Sequence, residues 1–178
     1  MVKKILLILL GIVVLLVGAI LAQPSSYKVV RTTTINAPQA EVYALINDFH
    51  QWDKWSPWAK LDPNMKTTYT GTEKGPGAVY YWIGNSDVGE GRMTITESVP
   101  SDRVVINLEF LKPFESNSIT TFLVVPEGQA TKVTWQMAGE SNFMSKAMTL
   151  FVSMDKLVGG DFDKGLTQMK ATAESSHK

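Results

Sequence analysis

The hydrophobic pattern of the chain begins with a long apolar run that differs from everything after it. Residues 5–22, ILLILLGIVVLLVGAILA, are 18 consecutive residues without a charged or polar side chain. A helix of this length rises about 27 Å, at roughly 1.5 Å per residue, which matches the hydrocarbon core of a bilayer. A domain of ordinary size can rarely bury such a run on every side. The pattern therefore predicts a transmembrane anchor or a signal segment over residues 1–22.

The residues on either side of this run indicate whether it is cleaved and how it is oriented in a membrane. A signal peptide has an apolar region of about 7–15 residues and small residues before its cleavage site, whereas this run is longer and carries Ile20 where a small residue is preferred. We therefore favour a retained anchor. Lys3 and Lys4 precede the run and its other flank, QPSSY, is uncharged, so the positive-inside rule predicts a cytoplasmic N-terminus. The rest of the chain is expected on the extracytoplasmic side, or secreted or periplasmic if the segment is cleaved.

After a short polar linker at residues 23–26, the pattern changes to the period of two that is typical of strands. YKVVRTTTINA predicts a first strand, and APQAEVYALINDF then has apolar residues at helical spacing, which predicts a short amphipathic helix. Six further β-like segments, each bounded by Gly, Pro, Asn, Asp or Ser, fill residues 66–139. The sequence thus predicts about six to seven strands in an antiparallel meander.

Beyond residue 142 the apolar residues return to helical spacing and predict one long terminal helix. Gly159 and Gly160 interrupt it, so we expect a bend or break there, with Asp161 as the N-cap of the second half. A sheet with one apolar face needs cover, which this helix can supply. The expected fold is α+β, with a curved antiparallel sheet wrapped around the C-terminal helix and short helices after the first strand, over residues 27–176.

Three stretches of the sequence resemble the START-like, polyketide cyclase/dehydrase (SRPBCC) superfamily. They are TTTINAPQAEVYALINDFHQWDKWSPW, GRMTITESVPSDRV and MDKLVGGDFDKGLTQMK, and the resemblance covers residues 27–174. The resemblance implies the helix-grip fold, in which a hydrophobic cavity lies between the sheet and the terminal helix. Members of the superfamily bind lipids or hormones, cyclise polyketides or act as co-chaperones, so function has to be argued from the site. The leading apolar segment departs from the soluble core of that superfamily.

Composition and charge exclude several classes of function. Lys plus Arg and Asp plus Glu both total 17, without any block of like charge, so no nucleic-acid partner is expected. The chain has no cysteine, which excludes disulfides, thiolate nucleophiles and cysteine-ligated zinc. His50 and His177 do not form a spaced metal motif, and GDFDKG lacks the later ligands of a calcium loop. Neither a metal nor a cofactor is expected.

Tryptophan is concentrated in one short stretch, HQWDKWSPW, at residues 50–58. Trp52, Trp55 and Trp58 recur there at every third residue. Their rings can pack into the core between the short helices and the sheet, line an apolar pocket, or contact a membrane interface. We favour core packing, with Trp55 and Trp58 as candidate ligand contacts.

His50 heads this stretch and is a weak candidate for a general base. Asp48 and Asp53 lie near it in the sequence and could supply the carboxylate that tunes such a base. No spacing indicates a nucleophile–base–acid triad, and a lone polar residue at a helix end is usually a capping or solvated group. We favour the structural role.

Glu97 is a second weak candidate for chemistry. If a period of two holds through its strand, Glu97 shares a face with Met93 and Ile95 and is a buried carboxylate with a raised pKa. The alternative is that Glu97 lies at the open end of the strand, beside Arg92 or Arg103. We favour this alternative because carboxylates are seldom buried without a partner.

The strand patterns define an apolar inner face of the sheet that can line a ligand cavity. The candidate ligand-binding residues are Trp55, Trp58, Tyr81, Met93, Ile95, Ile106, Leu108, Phe110, Trp135, Met137, Phe151 and Met154. This lining is almost without paired polar groups, so the sequence favours a membrane-anchored exported domain that binds a small apolar or amphipathic, lipid-like ligand. The alternatives are a cyclase- or hydrolase-type enzyme that uses the same cavity, and a ligand-free interaction domain.

Overall fold

The computed structural model of the protein describes residues 2–175, which form four α-helices, two 3₁₀ helices and seven strands. The predicted domain end at residue 176 and His177 lie outside the described residues. The helices are α1 (Val2–Leu21), α2 (Gln39–Asn47), α3 (Phe143–Thr149) and α4 (Met154–Ser175), and the 3₁₀ helices are Phe49–Lys54 and Pro57–Lys60.

The seven strands form one antiparallel sheet in the order β1-β7-β6-β5-β4-β3-β2. The consecutive strands β2 to β7 form a meander, and β1 pairs with β7 at its far side. This arrangement confirms the predicted α+β fold, including the short helices after the first strand. The strands are β1 (Ser26–Ile35), β2 (Lys66–Gly71), β3 (Ala78–Ile83), β4 (Glu90–Val99), β5 (Arg103–Lys112), β6 (Ser116–Glu127) and β7 (Ala130–Glu140).

The inner face of the sheet and α4 share one apolar core. Alternation with a period of two places Ile106 of β5 and Val133 and Trp135 of β7 on that face, where all three are buried. The helix α4 packs across it, and the ring of Phe162 stacks on Trp135 with centroids 4.1 Å apart and planes 8° apart. Full burial of one such side chain stabilises the fold by about 2 kcal/mol. This packing fixes α4 over the sheet.

The terminal helical segment is broken, but at a different place from the one the sequence indicates. The break lies at residues 150–153, and α4 continues through Gly159 and Gly160. The predicted break at the glycine pair is wrong because a glycine costs a helix only about 1 kcal/mol relative to alanine, and packing offsets this cost. Asp161 accordingly lies inside α4, so its predicted role as an N-cap is also wrong. A Cβ atom at Gly159 would lie 2.1 Å from Nη2 of Arg31, so this glycine makes room for a side chain from β1.

An ion-pair cluster fastens the first half of α4 to β1. Nη1 of Arg31 donates to Oδ1 of Asp155 at 2.7 Å, and Nε donates to Oδ2 of Asp163 at 3.1 Å. The hydrogen bonds from Arg31 lower the pKa of Asp155 below its usual value, against a smaller opposing effect of burial. Because α4 packs over the inner face of the sheet, this cluster helps to position the helix there.

The helix α1 is exposed along nearly its whole length. Ile20, in its last turn, is the one buried residue within the described helix, and α1 contacts α3. Its length and composition are sufficient to cross a membrane, and a signal sequence satisfies the same criterion. The long apolar surface of α1 is therefore not covered by the domain.

Candidate functional site

A cavity of about 350 Å³ lies between α4 and the inner face of the sheet. Side chains from β1 and from β3 to β7 form the floor, while the 3₁₀ segments and the first half of α4 form the opposite wall. Most of these side chains are aromatic, aliphatic or methionine. The volume is at the lower end of the roughly 300–1,000 Å³ that is typical of ligand pockets.

Seven of the residues that the sequence nominates for ligand binding line this cavity. Met93 of β4 and Leu108 of β5 are directly paired in the sheet and point into it together, because paired residues share a face. The seven are Trp58, Met93, Leu108, Phe110, Trp135, Met137 and Met154. Contact of any of them with a ligand stays a prediction.

The other five nominated residues lie away from the cavity wall. Ile95 and Ile106 are fully buried in the adjoining core. The hydroxyl of Tyr81 donates to Glu90, on the face of the sheet that points away from the cavity. Phe151 is 83% exposed, because it lies in the break before α4, where the helical pattern does not hold. The five are Trp55, Ile95, Ile106, Tyr81 and Phe151.

Several wall residues were not nominated from the sequence. Tyr80 and Trp82 alternate with Tyr81, and a period of two separates the two sets without saying which of them faces inward. The pairing of Tyr80 with Met93 settles the matter, because both lie on the cavity side. The wall residues missed in this way include Tyr27, Trp52, Tyr80, Trp82, Val158 and Phe162.

The tryptophan stretch divides between core and cavity. The indole N–H of Trp52 donates to the carbonyl of Ile46 at 3.0 Å, and that of Trp55 donates to the carbonyl of Leu45 at 2.9 Å. Trp55 is fully buried, as core packing requires. Trp58 is half-buried on the cavity wall, and its ring meets that of Trp135 edge-on with centroids 5.9 Å apart.

His50 lies outside the cavity, where it contacts Asp48 and Tyr69. Its ring Nδ1 is 2.9 Å from Oδ1 of Asp48, and its ring stacks on Tyr69 with centroids 4.2 Å apart. Asp48 also accepts the backbone N–H of His50 at 2.9 Å, which caps the first 3₁₀ helix. Burial acts to raise the pKa of Asp48, but the hydrogen bonds from His50 and Gln51 outweigh it and lower the pKa.

Glu97 points to solvent because β4 contains a bulge. Ile95 pairs with Ile106 and Glu97 pairs with Val105, so one extra residue lies between them on β4. Such a residue interrupts the alternation and turns the following side chain to the other face. Nε of Arg103 donates to Oε1 of Glu97 at 2.9 Å. The interpretation of Glu97 as a buried carboxylate is thus wrong. The carboxylate is instead exposed to solvent and paired with Arg103, as we favoured from the sequence.

The cavity wall includes polar side chains, among them Asp53, Asp87 and Asp161, of which the first two are exposed. Thr120 of β6 and Ser56 before the second 3₁₀ helix are both buried on its wall. Burial raises the pKa of Tyr80, and the charges of Tyr69 and Asp53 raise it further, so its hydroxyl keeps its proton. The described residues contain no group of three or more His, Cys, Asp or Glu side chains that could hold a metal ion.

Comparison with known families identifies the domain. A family model described as "Polyketide cyclase / dehydrase and lipid transport" matches residues 26–174. The chain belongs to this family. The match starts with β1 and ends within α4, so it includes every element that lines the cavity and excludes α1. A comparison with curated proteins finds no match.

Solved structures show the same polyketide cyclase/dehydrase fold. A Helicobacter pylori protein is 12% identical with a TM-score of 0.63, covering 83% of this chain and 88% of its own. A Thermobifida fusca protein is 24% identical with a TM-score of 0.60, covering 80% of this chain and 90% of its own. A Chromobacterium violaceum protein is 16% identical with a TM-score of 0.59, covering 85% of this chain and 99% of its own. These similarities show the fold alone.

In this polyketide cyclase/dehydrase domain the cavity lies toward one end of the sheet. β1 begins and β5 ends at this end, and the wall includes Tyr27 and Phe110 from those two positions. The other end is closed by α2 and by the last turns of α4, where Glu174 accepts the backbone N–H of Asn36 at 2.8 Å. Phe110 and Leu157 line the cavity while staying 37% and 39% exposed. Exposed wall residues thus occur at the end of β5 and in the first turns of α4.

Proposed function

We propose that the domain binds a small apolar or amphipathic molecule in the cavity between the sheet and α4. The observation that carries this proposal is the cavity itself, about 350 Å³ in volume and lined mainly by aromatic, aliphatic and methionine side chains. Apolar pockets of this kind bind through buried area, with a few polar groups that orient the ligand. Thr120 and Ser56 are suited to that orienting role. Methionines such as Met93, Met137 and Met154 adapt to ligands of varied shape.

The volume limits the size of the ligand. One water molecule takes about 30 Å³ of liquid volume, so 350 Å³ corresponds to roughly a dozen such units. This space suits a single acyl chain, an isoprenoid or one ring system. A lipid-like ligand is favoured because α1, which is attached to the domain, is long and apolar enough to cross a bilayer.

The polar side chains of the wall favour binding over catalysis. General acid–base catalysis needs convergent polar groups within hydrogen-bond reach of each other or of a shared substrate atom. Among the described residues, no hydrogen bond joins two of the polar side chains that line the cavity. Glu97 and His50, the candidates from the sequence, lie outside the wall. The wall is therefore better suited to binding a ligand than to catalysing its reaction.

The charges beside α1 support an extracytoplasmic location for the domain. Lys3 and Lys4 precede the apolar run, whereas residues 22–27 beyond it carry no charge. The positive-inside rule then places the N-terminus in the cytoplasm and the domain on the extracytoplasmic side. On this basis the protein is a single-pass membrane protein with an exported ligand-binding domain.

Native mass spectrometry of the full chain tests ligand binding. The chain is extracted from its host membranes in mild detergent, freed from the micelle in the gas phase, and any bound molecule is identified after solvent extraction. Leu108→Trp places an indole ring in the cavity. Val125→Trp places the same ring on the outer face of the sheet, where the Val125 side chain is 48% exposed. A ligand has to displace this side chain or share the reduced space with it, so the Leu108→Trp variant should bind about tenfold more weakly, which corresponds to about 1.4 kcal/mol of binding free energy.

We expect a small apolar molecule to accompany the wild-type chain and the Val125→Trp control at similar occupancy. Circular dichroism of both variants establishes that each is folded. Equal occupancy in a folded Leu108→Trp variant would place the ligand elsewhere. A ligand-free wild-type chain, even after incubation with a lipid extract of the host, would contradict the binding function itself.

A further inference from the structure

Six large apolar side chains in neighbouring segments of the domain are exposed, while other exposed apolar residues, such as Val30, Ile83 and Val125, are spread along the strands. Single exposed apolar residues are normal on any protein surface, whereas a contiguous group indicates an interaction site. α3, the break that follows it and the turn between β5 and β6 contribute such a group, with exposures from 38% for Val152 to 83% for Phe151. We call it the apolar rim, and it consists of Phe114, Phe143, Met144, Met148, Phe151 and Val152.

The apolar rim lies at the end of the domain where α1 is attached. The backbone N–H of Ser141, just before α3, donates to the carbonyl of Ser25 in the linker at 2.9 Å. Nδ2 of Asn142 donates to the carbonyl of Glu115, in the β5–β6 turn, at 3.0 Å. These bonds join the linker, the start of α3 and the turn that carries Phe114. α1 also contacts α3 directly.

We propose that the apolar rim docks onto the surface of the bilayer that α1 spans, with α3 lying in the interfacial region. Residues 22–25 alone connect α1 to β1, and four residues span at most about 14 Å. The end of the domain that carries the rim is thus held within reach of the headgroups. Apolar side chains on an interfacial helix bury themselves at the boundary between headgroups and acyl chains. The tether to α1 is the feature that favours a bilayer over a protein partner.

Docking in this way brings the exposed wall residues Phe110 and Leu157 toward the membrane. Phe110 lies near the end of β5, at the same end of the sheet as the rim. Met154, on the cavity wall, follows directly after the exposed segment 151–153. A lipid-like ligand then has a path between the acyl-chain region of the bilayer and the cavity, with little exposure to water. This last step rests on the proposed ligand binding, whereas the docking of the rim does not.

The absence of cysteine from the chain permits a direct test on the full-length protein. Phe151→Cys and Val125→Cys are each labelled with a thiol-reactive NBD fluorophore and reconstituted into phosphatidylcholine–phosphatidylglycerol vesicles. Both sites are exposed, at 83% and 48%, so neither label disturbs the core. Val125 lies near the opposite end of β6 and serves as the matched control. Nitroxide-labelled lipid and aqueous iodide are the two quenchers, and resistance to carbonate extraction shows that α1 is embedded.

We expect the label at residue 151 to emit at shorter wavelength, and to be quenched several-fold more by nitroxide lipid and several-fold less by iodide than the label at 125. Equal iodide quenching at the two sites would overturn the proposal. Protection of residue 151 from both quenchers would also overturn it, because a second copy or another protein would then cover the rim. Release of the chain by carbonate would show that α1 is not embedded in the bilayer, and this result would also overturn the proposal. Detection of a ligand by mass spectrometry is independent of each of these outcomes.

Discussion

Trp55 and Trp58 show how two identical side chains three residues apart take different tasks. Trp55 is fully buried and its indole N–H donates to the carbonyl of Leu45. Trp55→Phe leaves that carbonyl unpaired and opens a void among Trp52 and Phe122, so we expect a loss of about 3 kcal/mol in the free energy of unfolding. Urea unfolding of the full chain in detergent micelles, followed by circular dichroism, measures this loss.

Trp58→Phe is the matched control for that substitution. Trp58 is half-buried on the cavity wall, so its truncation should cost about 1 kcal/mol or less. It should instead change the occupancy of the cavity in the mass-spectrometric measurement. Equal losses of stability at the two positions would show that the division between core and cavity is incorrect.

The same scale shows what the sequence could and could not predict. The inward positions of Met93, Leu108 and Trp135 follow from a period of two, which is a property of the backbone. Glu97 could not be placed in the same way, because a β-bulge reverses the alternation and no residue type marks it. Tyr81 was nominated instead of its neighbours because the pattern lacks the register with β4, which is formed only in the sheet.

At the scale of elements, the glycines of α4 report how closely this helix approaches the sheet. A Cβ atom at Gly165 would lie 2.8 Å from Cζ3 of Trp135 and 3.1 Å from Cδ of Pro57. Gly165→Ala should therefore overpack the contact and destabilise the fold by about 1–2 kcal/mol, even after the gain in helix propensity. Thermal unfolding of the full chain measures the effect.

Gly160 lies in the same helix and provides the control. It is exposed, and a Cβ atom there would meet nothing within 4 Å. Gly160→Ala should thus stabilise the fold by about 0.5–1 kcal/mol through helix propensity alone. A Gly165→Ala variant as stable as Gly160→Ala would mean that α4 is held less tightly against the sheet than these distances imply.

These glycines also explain the misplaced helix break. Propensity alone favours a break at Gly159 and Gly160, but Gly159 lies where Arg31 reaches across to Asp155 and Asp163. Tertiary contacts of this kind join residues more than 120 positions apart in the sequence, and no local pattern reports them. The strands and the long helix were predictable because their periodicity is local.

At the scale of the whole molecule, the chain combines an exposed apolar helix with a domain whose cavity and apolar rim lie at the same end. The sequence pattern predicts both the apolar helix and the domain, because the apolar run and each of the seven β-like segments are short stretches of consecutive residues. The rim was not predictable, because Phe114 follows β5 and Phe151 follows α3, and the ends of β5 and β7 lie at the same end of the sheet only through strand pairing. If α1 spans a bilayer, as we propose, their common location sets the orientation of the domain relative to that bilayer.

That orientation leads to a prediction about topology. On the proposed topology, with Lys3 and Lys4 on the cytoplasmic side, Val2→Cys should resist a small membrane-impermeant maleimide in intact cells or spheroplasts and react after permeabilisation. Val125→Cys, in the domain, should react without permeabilisation. The intact mass of the purified chain shows whether residues 1–22 are retained, as an anchor requires. The reverse labelling pattern would place the domain in the cytoplasm and contradict the export of its ligand-binding site. A mass lacking residues 1–22 would leave export intact but remove the tether, and with it the reason for the rim to meet the bilayer.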